Sequence, residues 1–486
     1  MKLLDKSVIL PFEGRERVLQ FGEGNFLRGF VDYFIDVMNE KLDFNTKVVV
    51  AQPIAQGLAD LINQQDGLYT LYLRGIEKGQ KVERKRVIRS ISRCINPYND
   101  FSGFLANAAN PDLRFIVSNT TEAGIVYRPE DRYDDAPQRS FPGKLTRFLH
   151  ERFLRTGGET GKGLVILSCE LIDNNGQELK KCVEQLTRDW QLDEAFSAWL
   201  DNENIFCSTL VDRIVTGYPR SEAARLNAEN GYIDQLLDTA EVFGFWVIEG
   251  PASLAEELPF QKAGLPVIFT DDHTPYKKRK VRILNGAHTS MIMAAYLAGQ
   301  DIVRKCMDDD VIRGFLTKCI FDEIMPTLDL PKEELTTFAH DVIDRFRNPY
   351  IDHPLLSIAL NSTSKWKARV LPSVLAYVER FQKLPRLLVF SLAAYICFYQ
   401  GERQPDGTLI GHRGEDSYEI KDDAFVLEFF GSAGDLSDDE IVRLVASNTD
   451  FWGIDLSLIE GLTEQVSADL KQIRSQGMYQ TMQSLL

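Results

Sequence analysis

Arg17-Val-Leu-Gln-Phe21-Gly22-Glu-Gly24-Asn-Phe-Leu-Arg28-Gly29 is the stretch that decides the fold. Residues 17–21 form a short apolar run that reads as a buried strand, and it passes straight into two glycines one residue apart. Apolar residues then recur at helical spacing in Phe30, Phe34, Ile35 and Met38. Strand, glycine turn and helix form the opening unit of a dinucleotide-binding sheet. Gly22 permits the tight turn, Gly24 lets a pyrophosphate approach the backbone, and the helix start offers N–H donors. The third glycine of that pattern is displaced, because position 27 is leucine and Gly29 comes two residues late. A plain tight turn is the competing reading of the same residues.

Outward from this turn, Lys47-Val-Val-Val-Ala51, Arg114-Phe-Ile-Val-Ser118 and Gly163-Leu-Val-Ile-Leu-Ser168 are continuous apolar runs. Strands covered on both faces of a parallel sheet need that composition. Amphipathic segments at 144–155 and 177–189 alternate with them, which predicts right-handed crossovers. Ligands of such sheets bind at the carboxyl ends of the strands. The expected cofactor contacts are therefore Gly22, Glu23, Gly24, Asn25, Phe26 and Arg28 in the first turn, Gln52 after the second strand, and Asn119, Thr121 and Glu122 after a later one. The last three fit equally well as the N-cap of a following helix. An acidic residue usually ends the second strand to grip the ribose of NAD, but here Gln52-Pro53 stands, which leaves NAD and NADP both open. Further strand-like runs follow at 206–216, 245–249 and 266–270. Within the first of these, Asp212 beside Arg213 is either a structural ion pair or, at a strand end facing a cleft, a group that orients substrate.

With 486 residues the chain exceeds the roughly 250–300 that one core supports, so two domains are expected. Beyond residue 277 the pattern turns almost wholly helical. The expected division is a parallel-sheet nucleotide-binding domain over 1–275 and a helical substrate-binding domain over 276–486. The net charge of −16 argues against nucleic acid or an anionic membrane surface as partner, and an anionic substrate would need a local basic pocket. Seven scattered cysteines without a CxxC pair suit a reducing cytoplasm and offer no zinc pattern, and no two histidines sit at metal-ligand spacing. The N-terminus carries no signal-peptide pattern, and the longest apolar run, 387–399, is too short to span a bilayer. No sequence feature sets an oligomeric state.

At the expected seam, where small-molecule sites are common, stands Lys280-Val-Arg-Ile-Leu-Asn285-Gly-Ala-His288. On an α-helix at ~100° per residue, His288 would lie ~80° and Asn285 ~140° around from Lys280, one broad face. A lysine can take a proton from an alcohol, an asparagine amide can hold the developing oxyanion, and a histidine can orient a neighbouring hydroxyl. A helix start with an exposed base, a capping asparagine and a core histidine is the plainer alternative. Two basic clusters follow in this acidic chain. Arg345-Phe-Arg347 closes a helix, where Arg345 complements the helix dipole. Lys365-Trp-Lys367-Ala-Arg369, if extended, would present three cations on one side, suited to a carboxylate or phosphate.

Lys280-x₄-Asn285-x₂-His288, the stretch Phe21–Arg28, Gln65-Asp-Gly-Leu-Tyr69, Thr121-Glu122, Val211-Asp-Arg-Ile214 and Pro275-Tyr276 together resemble the mannitol dehydrogenase family, the polyol-specific long-chain dehydrogenases, over essentially the whole chain. The resemblance implies an α/β fold: a Rossmann-type parallel-sheet domain followed by a mostly α-helical domain. It implies NAD as cofactor and reversible, metal-independent hydride transfer at a CH–OH group. Lys280 would be the general base for alcohol oxidation and the acid for ketone reduction, Asn285 an oxyanion donor, and His288 the holder of a substrate hydroxyl. A second oxyanion asparagine is expected after the fifth strand, but that position is Leu171 here, with Asn174 nearby. Arg347 stands where sugar-alcohol members carry serine, and an added cation fits a substrate with a carboxylate. Asp212, Arg347 and Lys365 are therefore the expected contacts of a small sugar acid. A dehydrogenase of another sugar acid (mannitonate) or of a neutral polyol (mannitol) on the same scaffold and a nucleotide-sensing protein without turnover are the alternatives.

Overall fold

Six parallel strands of the N-terminal half form one sheet: β1 (Arg15–Phe21), β2 (Thr46–Ala51), β3 (Ile91–Ile95), β4 (Phe115–Ser118), β5 (Val165–Ser168) and β6 (Ile205–Cys207). The computed structural model that shows them describes residues 1–121, 123–434 and 436–486. Glu122, one of the expected cofactor contacts, lies outside the described residues. The chain divides into two units, residues 1–74 with 82–273 and residues 75–81 with 274–486.

The strand order is β3-β2-β1-β4-β5-β6, so the winding reverses between β1 and β4 and opens a crevice at their carboxyl ends. Register aligns those ends, with Phe21 beside Ala51 on one side and Ser118 on the other. Alternate residues feed two cores. Val18, Val48, Val50, Phe115 and Val117 pack with Phe30, Phe34 and Trp246, while Leu19, Phe21, Val49 and Ile116 pack with Phe104, Phe148 and Leu149. Burial on both faces is why these strands read as unbroken apolar runs.

Several elements depart from the sequence expectations. The helix after β1 is two pieces, Asn25–Gly29 and Val31–Leu42, broken at Phe30. The 206–216 run splits at Ser208. Its second part, Thr209–Asp212, leaves the main sheet to pair antiparallel with Phe245–Glu249, which pairs in parallel with Val267–Thr270. A hairpin of Tyr69–Glu77 and Gln80–Ile88 was not legible as strands, and its second strand is a sheet edge bearing Lys81, Arg84 and Lys85, charges that discourage further pairing. The tip of this hairpin, 75–81, groups with the C-terminal unit, where the Gly79 N–H donates to Asp344 Oδ2 at 3.1 Å and Lys81 lies over the Tyr350 ring.

The C-terminal unit is mostly helical. It also holds a three-stranded antiparallel sheet, Glu402–Arg403, Leu409–Arg413 and Asp416–Ile420, which the almost wholly helical pattern of this half did not show. The apolar run becomes helix Arg386–Tyr399, buried on nearly all sides. Among the described residues no helix is long and apolar enough to cross a membrane. Ser362–Arg369 is a helix, not an extended segment. Lys365 and Arg369 thus share a face at i,i+4 and Lys367 points elsewhere, so the three cations do not line up as an extended chain would place them.

Candidate active site

A groove of about 360 Å³ opens at the crevice of the N-terminal unit, lined by Gly22, Glu23, Gly24, Asn119 and Thr121 among others. Gly22 has φ +122°, and a Cβ there would stand 2.9 Å from the Asn119 carbonyl oxygen, so only glycine fits. A Cβ on Gly24 would meet nothing within 4 Å, which leaves that side of the turn open to a ligand. The turn is held from below. Buried Gln20 donates from Nε2 to the Gly22 carbonyl (3.0 Å) and to Asp32 Oδ2 (3.1 Å). Burial raises the Asp32 carboxyl to about 7, against the pull of Gln20 and Arg28. Thr121 sits at φ 80°, an unusual left-handed conformation for a β-branched residue.

Four residues expected to touch the cofactor do not line this groove. Arg28 is buried, and its guanidinium donates to the carbonyls of Leu236 (2.7 Å) and Glu23 (3.3 Å) and to Asn25 Oδ1 (2.6 Å), which clamps the turn from behind. Asn25 is occupied by that bond, and Phe26 stacks on Phe30 at 5.2 Å. Gln52 is buried, with Nε2 donating to the Ile54 carbonyl and Oε1 accepting the Ala59 N–H, so its amide is spent inside its own loop. Asn119 donates from Nδ2 to the Cys169 carbonyl at 2.7 Å. Glu170, its carboxyl raised by burial, accepts from Ser118 and Thr120 and fixes the end of β4. Sequence reasoning missed Arg128, Arg139 and Ser140 on the groove wall. Only Ser140 carried a signal, as the N-cap of helix Phe141–Thr156, where its hydroxyl accepts the Gly143 N–H. The open glycine turn at the strand-order reversal fits a dinucleotide.

In the C-terminal unit, helix Thr274–Arg279 runs into a π-helical stretch, Lys280–Gly286, before α-helix resumes at Ala287–Leu297. The wider i→i+5 turn rotates Asn285 back toward the face of Lys280, closer than a regular α-helix would place it. Gly286 lets this helix cross the Ser362–Arg369 helix closely, since a Cβ there would stand 2.8 Å from the Arg369 carbonyl oxygen. The crossing brings cations to His288. Burial first, then His353, Arg369, Lys365 and Arg345, push the imidazole down to about 3, so it is neutral at any working pH. Its ring stacks on Phe346 at 4.7 Å and meets His353 edge-on, and its buried Nε2 has no hydrogen-bond partner among the described residues. The Asn285 side chain, partly buried, makes no hydrogen bond to any described residue. Lys280 is likewise partly buried.

The expected substrate contacts separate. Lys365 belongs to the charged ring around His288, with Nζ donating to the Ile358 carbonyl at 2.8 Å. Arg347 is exposed and absent from that ring, whereas Arg345, two residues earlier, is in it. Asp212, at the end of its strand in the N-terminal unit, is 5% exposed; its neighbour Arg213 is consumed by the Gly29 and Phe243 carbonyls. Leu171, at the expected second oxyanion position, is exposed, and so is Asn174, whose side chain makes no hydrogen bond among the described residues. Among the described residues no three His, Cys, Asp or Glu side chains gather as a metal ion would require.

Residues 16–262 match the mannitol dehydrogenase Rossmann domain and residues 272–474 the mannitol dehydrogenase C-terminal domain. The chain belongs to the mannitol dehydrogenase family. Among curated members it is 50% identical to the altronate oxidoreductase of Klebsiella pneumoniae (strain 342) and 49% identical to that of Shigella flexneri, in each case over 100% of both chains. Two solved structures share the fold at lower identity. A D-sorbitol dehydrogenase in substrate-free form is 22% identical, with a TM-score of 0.78 over 96% of this chain and 95% of that one. The Pseudomonas fluorescens mannitol 2-dehydrogenase, solved in ternary complex with NAD and D-mannitol, is 21% identical, with a TM-score of 0.65 over 97% and 94%. The mannitol dehydrogenase fold is thus a parallel-sheet unit followed by a mostly helical one, as the sequence resemblance implied.

Proposed function

We propose that this member of the mannitol dehydrogenase family is an oxidoreductase that interconverts altronate and tagaturonate with NAD(H). The observation that carries the substrate class is the gathering of Arg345, Lys365 and Arg369 around a neutral histidine in a chain of net charge −16. A carboxylate satisfies such a ring and a neutral polyol does not. Full-length identity near 50% to altronate oxidoreductases supports the same substrate.

The glycine turn, Asn119 and Thr121 would hold the dinucleotide, which when bound supplies the acceptor or donor of the hydride. Lys280 Nζ takes the proton from the substrate hydroxyl during oxidation and returns it during reduction. Asn285 donates from Nδ2 to the oxygen on which negative charge develops. His288, neutral, offers a ring nitrogen to an adjacent hydroxyl and fixes the sugar's orientation. Arg369 and Lys365 bind the carboxylate end, with Arg345 adding positive charge. Asn174, whose side chain makes no hydrogen bond among the described residues, is the candidate for the second oxyanion donor, the expected position carrying an aliphatic side chain. All seven cysteines are free thiols, which suits a cytoplasmic enzyme.

A substrate panel tests the assignment. Purified protein should oxidise NADH with tagaturonate much faster than with fructuronate or fructose. Equal or reversed rates would overturn the substrate while leaving the family intact.

A further inference from the structure

The end of β2 lacks the acid that dinucleotide-binding sheets usually carry there, and Gln52, which replaces it, is spent on the Ile54 carbonyl and the Ala59 N–H. A carboxylate nevertheless stands at that spot. A Cβ built on Gly57 would lie 2.1 Å from Glu23 Oε1 and 2.6 Å from the Gln52 amide carbon. Glu23 therefore reaches sideways from the β1 turn and rests against the loop that follows β2. Only 8% exposed, it still lines the groove, beside Pro53 and Ile54. Burial raises its carboxyl, while the Leu58 N–H, its own backbone N–H and Arg28 favour the charged form.

We propose that Glu23 supplies from the glycine turn what the second strand does not: the carboxylate that accepts the adenosine 2′-hydroxyl and excludes a 2′-phosphate. This rests on the dinucleotide reading above and names the residue that sets its cofactor preference. A carboxylate only accepts hydrogen bonds, so it matches a hydroxyl donor and opposes a phosphate. Arg128 and Arg139 follow β4, which flanks β1 on the side opposite β2. Gly57 has its own part in this arrangement, because any side chain there would displace the carboxylate.

Equilibrium fluorescence titration of the full-length protein with NADH and with NADPH tests the proposal without turnover. The wild type should prefer NADH. Glu23→Gln, which keeps the shape and removes the charge, should lower the ratio of NADH to NADPH affinity roughly ten- to hundredfold, the worth of a hydrogen bond to a charged group. Gly57→Ala should move the ratio in the same direction with Glu23 still present, and it stands in if Glu23→Gln fails to fold. A wild type that binds NADPH as tightly as NADH overturns the proposal. So does an unchanged ratio in a folded Glu23→Gln, which leaves the dinucleotide reading standing. Binding of neither nucleotide by the wild type overturns both together.

Discussion

In the glycine turn of the N-terminal unit, Arg28, Asn25, Gln20 and Gln52 are all bonded to other parts of the chain. In the Lys280 helix of the C-terminal unit, the Asn285 amide and the His288 Nε2 have no such partner among the described residues. Both stretches look equally polar in sequence. The difference separates side chains that hold a site in shape from side chains kept for a ligand, because buried polar groups left unanswered are costly unless something else answers them. On the proposed reading, the turn would bind chiefly through open backbone and one reaching carboxylate, whereas the helix would offer side chains.

The sharpest way to break this contrast is Lys280→Ala. It should lower kcat/KM by about 10²–10⁴, the range of a lost general acid or base, while NADH affinity in a binding titration stays nearly constant. A loss smaller than about tenfold would remove Lys280 from proton transfer. Next in size is the cation ring. Steady-state kinetics of Arg369→Ala should show KM for altronate raised roughly ten- to hundredfold, with exposed Arg347→Ala within about twofold of wild type. A larger effect at Arg347 would move the carboxylate site to the surface. The smallest effect is expected from a residue that only holds the turn. Asp32 has its carboxyl raised to about 7, so the stability it contributes is fully present below its unfolded value near 3.8 and is lost as pH rises through 7. Thermal melts of Asp32→Asn should therefore fall less between pH 5 and 8 than those of the wild type, by about 2–4 °C per kcal/mol recovered, with kcat little changed. An identical pH dependence would mean that Asp32 is ionised in the folded protein throughout that range.

The parallel sheet was legible because burial on both faces writes unbroken apolar runs, as in 47–51 and 163–168. The β3 strand escaped notice because Ser92 and Arg93 interrupt its five residues. The 80–88 strand escaped because an exposed edge has no need of an apolar face. Lys365, Lys367 and Arg369 alternate in sequence, which imitates a strand, yet the surrounding packing around Trp366 made a helix of them. The chemistry-bearing types of Lys280, Asn285 and His288 were plain, but the π-helical turn was not, since residue spacing does not record which carbonyl each N–H will choose. Glu23 could be picked out only as part of the glycine turn, because its reach to Gly57 is a tertiary fact.

The π-helical turn at Lys280–Gly286 has a consequence for insertions and deletions. Such a turn is an α-helix holding one surplus residue. Deleting a single position between Lys280 and Asn285 would let the helix relax to regular winding with the residues downstream, His288 included, kept close to their places on the face. Such a deletion would leave the two ends of the helix in register. A further inserted residue has no such reserve in the regular helix Ala287–Leu297, where it would carry everything beyond it around by ~100°.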